Sequence, residues 1–216
     1  MRHTVTFHGL GEPHRTLTEA ERHIWLDTAD FLTELDALAG RNDVRITFDD
    51  GNASDAAIAL PALRDRGLTA TFFVLAGFLG EPGYLDHAGI LELIGNGMEV
   101  GSHGMRHRDW RRLDDDQLTV EIVEGRHRLQ EVAGREIRLA SCPFGSYDRR
   151  VLARLRQTRA YDHVFTSDGA VASPRAWLQP RSTLTRGRPG LANRLPTEDP
   201  RQRVVQRAKM MVKRCR

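Results

Sequence analysis

The sequence predicts an irregular (β/α)7 barrel with a C-terminal linker and a basic helix, and three observations predict it. Strand-like and helix-like segments alternate through residues 1–184. Such alternation implies a parallel sheet or barrel, because parallel neighbours need a crossover between them. Seven strand candidates fit into that length, which suits a small barrel. No G-x-G-x-x-G or G-x-x-x-x-G-K-[ST] follows any of them, so a doubly wound nucleotide-binding sheet, the runner-up, lacks its main support.

The elements follow in order. Residues 3–8 alternate as a short strand and stop at Gly9-Leu10-Gly11. Thr18 and Glu21 have capping-box spacing. The stretch they open, with Trp25, Leu26, Phe31, Leu32, Leu35 and Leu38, keeps helical period to Gly40. Residues 44–48 form a second strand, 55–66 a helix closed by Gly67, and the β-branched and aromatic run 69–75 a third strand. A short helix over 86–94 precedes a fourth strand at 98–101. A long helix over 114–132 precedes a fifth strand at 137–141. A helix over 148–158 leads to a sixth strand at 163–166, and 177–181 reads as a seventh. Residues 185–200, rich in Pro, Gly and Asn, read as a linker, and 201–216 as a basic amphipathic helix.

Length and composition exclude several classes. At 216 residues, 40% hydrophobic and 28% charged, the chain reads as one ordinary globular domain. It has no run of about 18 apolar residues. The opening MRHTVTFHGLG lacks the features of a signal peptide, so the expected location is cytoplasmic. Two cysteines, Cys142 and Cys215, make neither a disulfide framework nor a four-cysteine zinc site. Seven of the 32 Lys and Arg residues fall within 201–216, leaving 25 against 29 acidic residues and a net −4 on the rest. A nucleic-acid-binding body is not expected from that balance.

In barrels of this kind the chemistry sits where strands end. Strand two ends in Asp49-Asp50-Gly51, strand four in Ser102-His103-Gly104-Met105-Arg106-His107, and strand five in Cys142-Pro143-Phe144-Gly145. Strand one ends at His8, strand six at Ser167-Asp168, and the seventh at Arg181. Adjacent aspartates on an extended chain point different ways, so one can bind a metal while the other stays free as a base. Two histidines four apart share a face if the segment turns, a spacing that suits zinc. Taken singly, Asp-Asp-Gly is a common turn and H-x-x-x-H a common solvated helix face. Their joint placement at neighbouring strand ends points to a hydrolytic metal site. Cys142 reads as a small buried hydrophobe rather than a nucleophile. Trp110 can stack on a sugar ring or pack against a helix.

Four segments carry a family resemblance: Ile46-Thr47-Phe48-Asp49-Asp50-Gly51, Ala70-Thr71-Phe72-Phe73-Val74, Gly101 to His107, and Cys142-Pro143-Phe144-Gly145-Ser146-Tyr147-Asp148. Together they resemble the polysaccharide deacetylases, the NodB-homology group or carbohydrate esterase family four, over residues 3–182. The resemblance implies that Asp50, His103 and His107 hold one divalent metal ion, zinc first, with Co2+, Ni2+, Mn2+ or Fe2+ as alternatives. It implies Asp49 as the general base. Phe144 is implied to line the sugar groove and to offer its backbone N–H to the oxyanion.

Two positions depart from the family pattern. The arginine that many members place three residues before the third-motif aromatic is Ser141 here, and Arg181 is the candidate to supply that guanidinium to Asp49. The late histidine that protonates the leaving amine is missing, since none follows His163. His8 is the candidate substitute, and Asp49 returning its own proton is the alternative. The expected function is removal of an N-acyl group, N-acetyl first, from an amino-sugar glycan or its precursor. A deacylase or deformylase of a non-carbohydrate amide is one alternative, and a weakly catalytic metal- and glycan-binding protein the other. Loops 78–88 and 104–112 are expected to set groove specificity. In the tail, Val204, Val205, Ala208, Met211 and Val212 form an apolar stripe that can dock on the body or lie on an anionic membrane.

Overall fold

The structure is a computed structural model that describes residues 2–187, Gly190, Leu195 and 211–213. Its strands are β1 (His3–Phe7), β2 (Val44–Phe48), β3 (Ala70–Val74), β4 (Glu99–Ser102), β5 (Leu139–Ser141), β6 (His163–Thr166), β7 (Leu178–Pro180) and β8 (Ser182–Thr183). All pairings among them are parallel, in the order β7-β6-β5-β4-β3-β2-β1-β8. Strands β7 and β8 are halves of one run interrupted at Arg181. The first half pairs with β6 and the second with β1. The run predicted as the seventh strand therefore closes the barrel, and the eight pairing segments amount to seven staves.

Period-2 alternation sorts the strand residues. Phe7, Phe48 and Phe72 are in register on β1, β2 and β3, with ring centroids 5.2 and 4.6 Å apart. They face outward onto Phe31 of helix α2 (Thr28–Leu38), whose ring meets Phe7 edge-on at 5.2 Å. The alternate positions, Thr6 and Thr47, turn inward, and both hydroxyls meet the Arg181 guanidinium. Asp49 continues that inward series two residues after Thr47. A second apolar cluster, with Trp110, Tyr147, Tyr161 and Leu155, packs the β5–β6 side.

The helix expected to open at Thr18 is two helices. The capping box is present at the start of α1 (Glu19–Ile24), but the helix stops at Trp25. Leu26 instead exchanges backbone hydrogen bonds with Gly9 and Gly11, and Trp25 Nε1 donates to Gly11 O at 2.8 Å. A pairing partner far along the chain takes residues whose spacing is helical, and α2 then restarts at Thr28. The helix over 55–66 begins as a π-helical turn, Asp55–Ala59, before α3 (Leu60–Asp65). Helix α4 (His87–Gly95) follows β3. The long helix predicted over 114–132 is α5 (Asp115–Thr119) and α6 (Gly125–Ala133), joined by a π-helical turn at Val120–Glu124. Helix α7 (Arg149–Gln157) is capped by the Asp148 carboxylate, which accepts from Val151 N.

Part of the predicted linker lies on the barrel. Arg186 N donates to His23 O at 2.9 Å, its guanidinium pairs with Asp27 at 3.0 Å, and Leu195 is buried in the main core. Of the predicted basic helix, residues 211–213 are helical. Lys213 pairs with the buried carboxylate of Asp168, while Met211 and Val212 are 69% and 54% exposed. The contact described for the tail is thus polar. Val204, Val205 and Ala208 lie outside the described residues.

Candidate active site

The site forms where β1, β2, β4, β5 and β7 end. At the end of β2 the chain leaves the extended conformation. Asp50 has φ 77° and Gly51 φ 68°, and a Cβ on Gly51 would stand 2.8 Å from Val74 Cγ1. This turn separates the two neighbouring carboxylates. Asp49 goes into the barrel, and Asp50 turns toward the histidines. Among the described non-glycine residues only Asp50, His107, Phe144 and Arg159 have positive φ. Three of the four are at the site, and each such conformation costs about 1–2 kcal/mol. Local backbone strain is concentrated where side chains must converge.

Asp50, His103 and His107 bring their ligand atoms within 4.8 Å of one another. Asp50 Oδ1 lies 3.5 Å from His103 Nε2 and 3.6 Å from His107 Nε2. That oxygen is buried and has no hydrogen-bond partner among the described residues. Ser141 O lies 3.0 Å from His103 Nδ1 and, as a carbonyl, can only accept a hydrogen bond from it, which keeps the proton on Nδ1 and leaves the Nε2 lone pair facing Asp50. Burial, against the pull of Asp49, lowers the His103 pKa to about 4, so the ring is a neutral ligand. An orphaned carboxylate oxygen beside two imidazoles, one with its tautomer set, is a donor set that fits a divalent transition metal.

Asp49 lies beneath this cluster, with its Oδ2 3.8 Å from His103 Nε2. Arg181 grips both its oxygens, Nη1 to Oδ1 at 2.6 Å and Nη2 to Oδ2 at 2.7 Å. The arginine is 0% exposed. Nη2 also donates to Ser141 Oγ at 2.7 Å. The Phe73 and Phe165 rings cover the guanidinium, with centroids 5.3 and 5.9 Å away. Burial alone would raise the Asp49 pKa. The Arg181 charge, helped by His103, outweighs it and holds the carboxyl well below the usual range. The guanidinium enters from the closing strand, and a small side chain at Ser141 leaves it room.

The His103–His107 loop is held from behind. The buried carboxylate of Glu121, on the π-helical turn, accepts from Met105 N at 2.9 Å and Arg106 N at 3.1 Å. Trp110 Nε1 approaches the same carboxylate at 3.4 Å. Gly104 is needed here, since a Cβ would fall 2.5 Å from Glu121 Oε2. Trp110 itself is 1% exposed, so it packs in the core and offers no face to a sugar. Cys142 is buried, and burial raises its thiol pKa to about 12, as befits a small hydrophobe.

A groove of about 600 Å³ opens over the cluster, lined by His8, Asp49, Asp50, His103, His107 and Phe144 among others. Six of the seven residues singled out from the sequence thus line one groove, and the seventh, Arg181, lies under Asp49. Phe144 is 62% exposed at its lip, 4.3 Å from the His107 ring. His8 Nδ1 is buried without a partner among the described residues. Burial lowers the His8 pKa, against the raising pull of Asp50 and Asp49. His163 sits at the opposite end of the barrel, bonded to Ala176 O. The lining also includes Arg15 and Thr16, which no motif marked, Glu21, marked only as a capping residue, and Tyr84, from the 78–88 loop expected to set specificity. Arg15 comes from the segment between β1 and α1, which shows no recognisable spacing.

Comparison with known proteins agrees with this picture. Residues 38–161 match the polysaccharide deacetylase family. A candidate polysaccharide deacetylase of Bacillus subtilis (strain 168), YxkH, is 26% identical over 129 residues, covering 60% of this chain and 46% of the relative. A chitooligosaccharide deacetylase of Bradyrhizobium sp. (strain ANU 289) is 26% identical over 161 residues, covering 71% of this chain and 69% of the relative. The chain thus spans less than half the length of the first relative and about two thirds of the second. The barrel superposes on BC0361, a polysaccharide deacetylase from Bacillus cereus, with a TM-score of 0.77 at 16% identity, covering 90% of this chain and 68% of that one. With the motifs, the barrel and the matched span in agreement, the chain belongs to the polysaccharide deacetylase family.

Proposed function

We propose that the protein is a metal-dependent hydrolase that removes an N-acyl group, N-acetyl first, from an amino sugar of a glycan or glycan precursor. The observation that carries this reading is the convergence of Asp50, His103 and His107 beside a carboxylate, Asp49, kept ionised by Arg181. A divalent metal held by Asp50, His103 and His107, zinc first, would supply a Lewis acid for the acyl oxygen and a lowered pKa for water.

The chain's own residues do the rest. The Ser141 carbonyl fixes the His103 tautomer, so Nε2 is available as a ligand. Asp49, ionised at any working pH, takes a proton from the attacking water. Arg181 makes that carboxyl a weak base and, once protonated, a ready acid. The same Asp49 can then pass the proton to the leaving nitrogen, which fills the role of the absent late histidine. His8, neutral at pH 7, holds the substrate by a hydrogen bond from or to Nδ1 rather than donating from an imidazolium. The exposed Phe144 ring faces the sugar at the groove lip. In the tail, the exposed Met211 and Val212 support a peripheral contact with an anionic membrane, where lipid-linked precursors would be at hand.

The test is acetate release from N-acetylglucosamine oligomers and from nucleotide- and lipid-linked amino sugars, with protein stripped of metal and reloaded with zinc. Release is expected only after reloading, and Asp49→Asn should abolish it while still binding zinc. No release from zinc-loaded wild type across the panel would overturn the reading in favour of a non-sugar amide or a binding role.

A further inference from the structure

Part of the groove lining is a pair of stacked aromatic rings flanked by two arginines. Arg15 lies over the Tyr84 ring, 4.7 Å from its centroid. Tyr84 stacks on Phe78 at 5.0 Å and 22°. Arg106 lies over Phe78, 5.9 Å from its centroid. All four residues line the same groove as the Asp-His-His cluster.

The two arginines differ in how their charge is met. Arg15 pairs with Glu21 at 2.7 Å and donates to Asn52 Oδ1 at 3.2 Å. The Arg106 side chain is exposed, and its guanidinium makes no hydrogen bond or ion pair among the described residues. Its backbone N–H is fixed on Glu121, so the side chain springs from an anchored loop. The remaining charges of the groove are accounted for in the same way. Glu21 is matched by Arg15, and Asp49 by Arg181. Asp50 alone faces the proposed divalent metal, which leaves that centre with excess positive charge. Arg106 adds to the excess, next to an aromatic face.

We propose that Arg106 is an anion-binding subsite, and that the substrate is an amino sugar carrying a phosphate or carboxylate group next to the carbon that bears the acylamino nitrogen. A guanidinium recognises either group through paired charge-assisted hydrogen bonds. The Phe78–Tyr84 face would take an apolar face of the sugar. This inference deepens the deacylase reading and rests on it for the orientation of the sugar. It does not rest on it for the preference between charged and neutral ligands.

The experiment measures binding by calorimetry to the zinc-loaded full chain, with acetate release followed in the same samples. The ligands are N-acetylglucosamine, N-acetylglucosamine 1-phosphate and N-acetylmuramic acid. Wild type should bind at least one of the two anionic sugars about tenfold more tightly than the neutral one. In Arg106→Gln the ratio should fall to near one, and Arg106→Lys should restore part of it. The zinc content of each variant shows that the neighbouring histidines are intact. An equal ratio in wild type, or a ratio that Arg106→Gln leaves unchanged, overturns the subsite. An Arg106-dependent preference without acetate release would support the subsite and strike these three sugars from the substrates, leaving the deacetylase reading to the oligomer, nucleotide-linked and lipid-linked panel.

Discussion

Arg181 and Asp49 form a bidentate ion pair sealed inside the barrel, at 2.6 and 2.7 Å, with no solvent exposure of the arginine. The two residues are 132 positions apart in sequence. They meet because β2 and the closing run β7–β8 flank the same stave, β1. The hydroxyls of Thr6, Thr47 and Ser141 and the Thr166 carbonyl accept the guanidinium's remaining hydrogen bonds. A buried charge pair of this kind stabilises only while both members are present.

Arg181→Met is therefore expected to destabilise the protein by roughly 3–5 kcal/mol, because it strands an uncompensated carboxylate. The double variant Asp49→Asn/Arg181→Met should lose less than the sum of the two singles. The expected coupling is about 1–3 kcal/mol. Urea denaturation of the four proteins checks it. Additive losses would mean that the pair is not energetically linked.

Glu121 is a positioning residue, since its carboxylate holds the backbone of Met105 and Arg106 between the two histidines. Glu121→Gln keeps an acceptor oxygen but loses the charge. Zinc affinity should fall by about 10–100-fold with the fold retained. A zinc titration against a chromophoric chelator, run beside circular dichroism, reads both. Unchanged affinity would remove Glu121 from the site.

Asp55 is buried, and neither of its oxygens has a hydrogen-bond partner among the described residues. Burial, with the charges of Asp50 and Asp49, raises its pKa well above the ordinary value. The folded state then holds a proton that the unfolded state releases above about pH 4. Stability of the metal-free protein should fall as pH rises from that point toward the folded pKa. Asp55→Asn removes the titration and should melt higher than wild type at pH 7, by an amount that shrinks toward pH 4. Melting curves at several pH values would show it, and parallel curves for the two proteins would refute it.

His8 separates two routes for the leaving nitrogen. If Asp49 moves the proton both ways, His8→Asn should raise KM by about tenfold, the loss of one substrate hydrogen bond, with the shape of the pH profile kept. Were His8 the proton donor, kcat would fall by about 100-fold or more and the loss of activity with rising pH would disappear. Steady-state kinetics between pH 5 and 9 distinguishes the two.

Local rules made a good deal of this legible. The capping box at Thr18 and Glu21, the strands over 44–48 and 163–166, and the helix expected over 148–158 are short-range patterns that form as the spacing predicts. Placing chemistry at strand ends brought His8, Asp49, Asp50, His103, His107 and Phe144 to one groove. The break at Trp25–Asp27 was not legible, because a backbone pairing with Gly9 and Gly11 overrode helical spacing. Phe78, Tyr84 and Arg106 fall in the two loops expected to set specificity, but Arg15 and the stacking that joins the four were not legible, since they come from segments without a shared pattern.

By itself the sequence determined the alternation of strands and helices, the family, and the candidate ligand set Asp50, His103 and His107 that the family implies. These follow from spacing and residue type within a few positions of one another. Only the tertiary structure decided which cation neutralises Asp49, which oxygen sets the His103 tautomer, and which arginine in the groove is left unmatched. Each of those depends on barrel closure, which juxtaposes residues far apart in the chain, and on burial, which makes a single charge or hydrogen bond decisive.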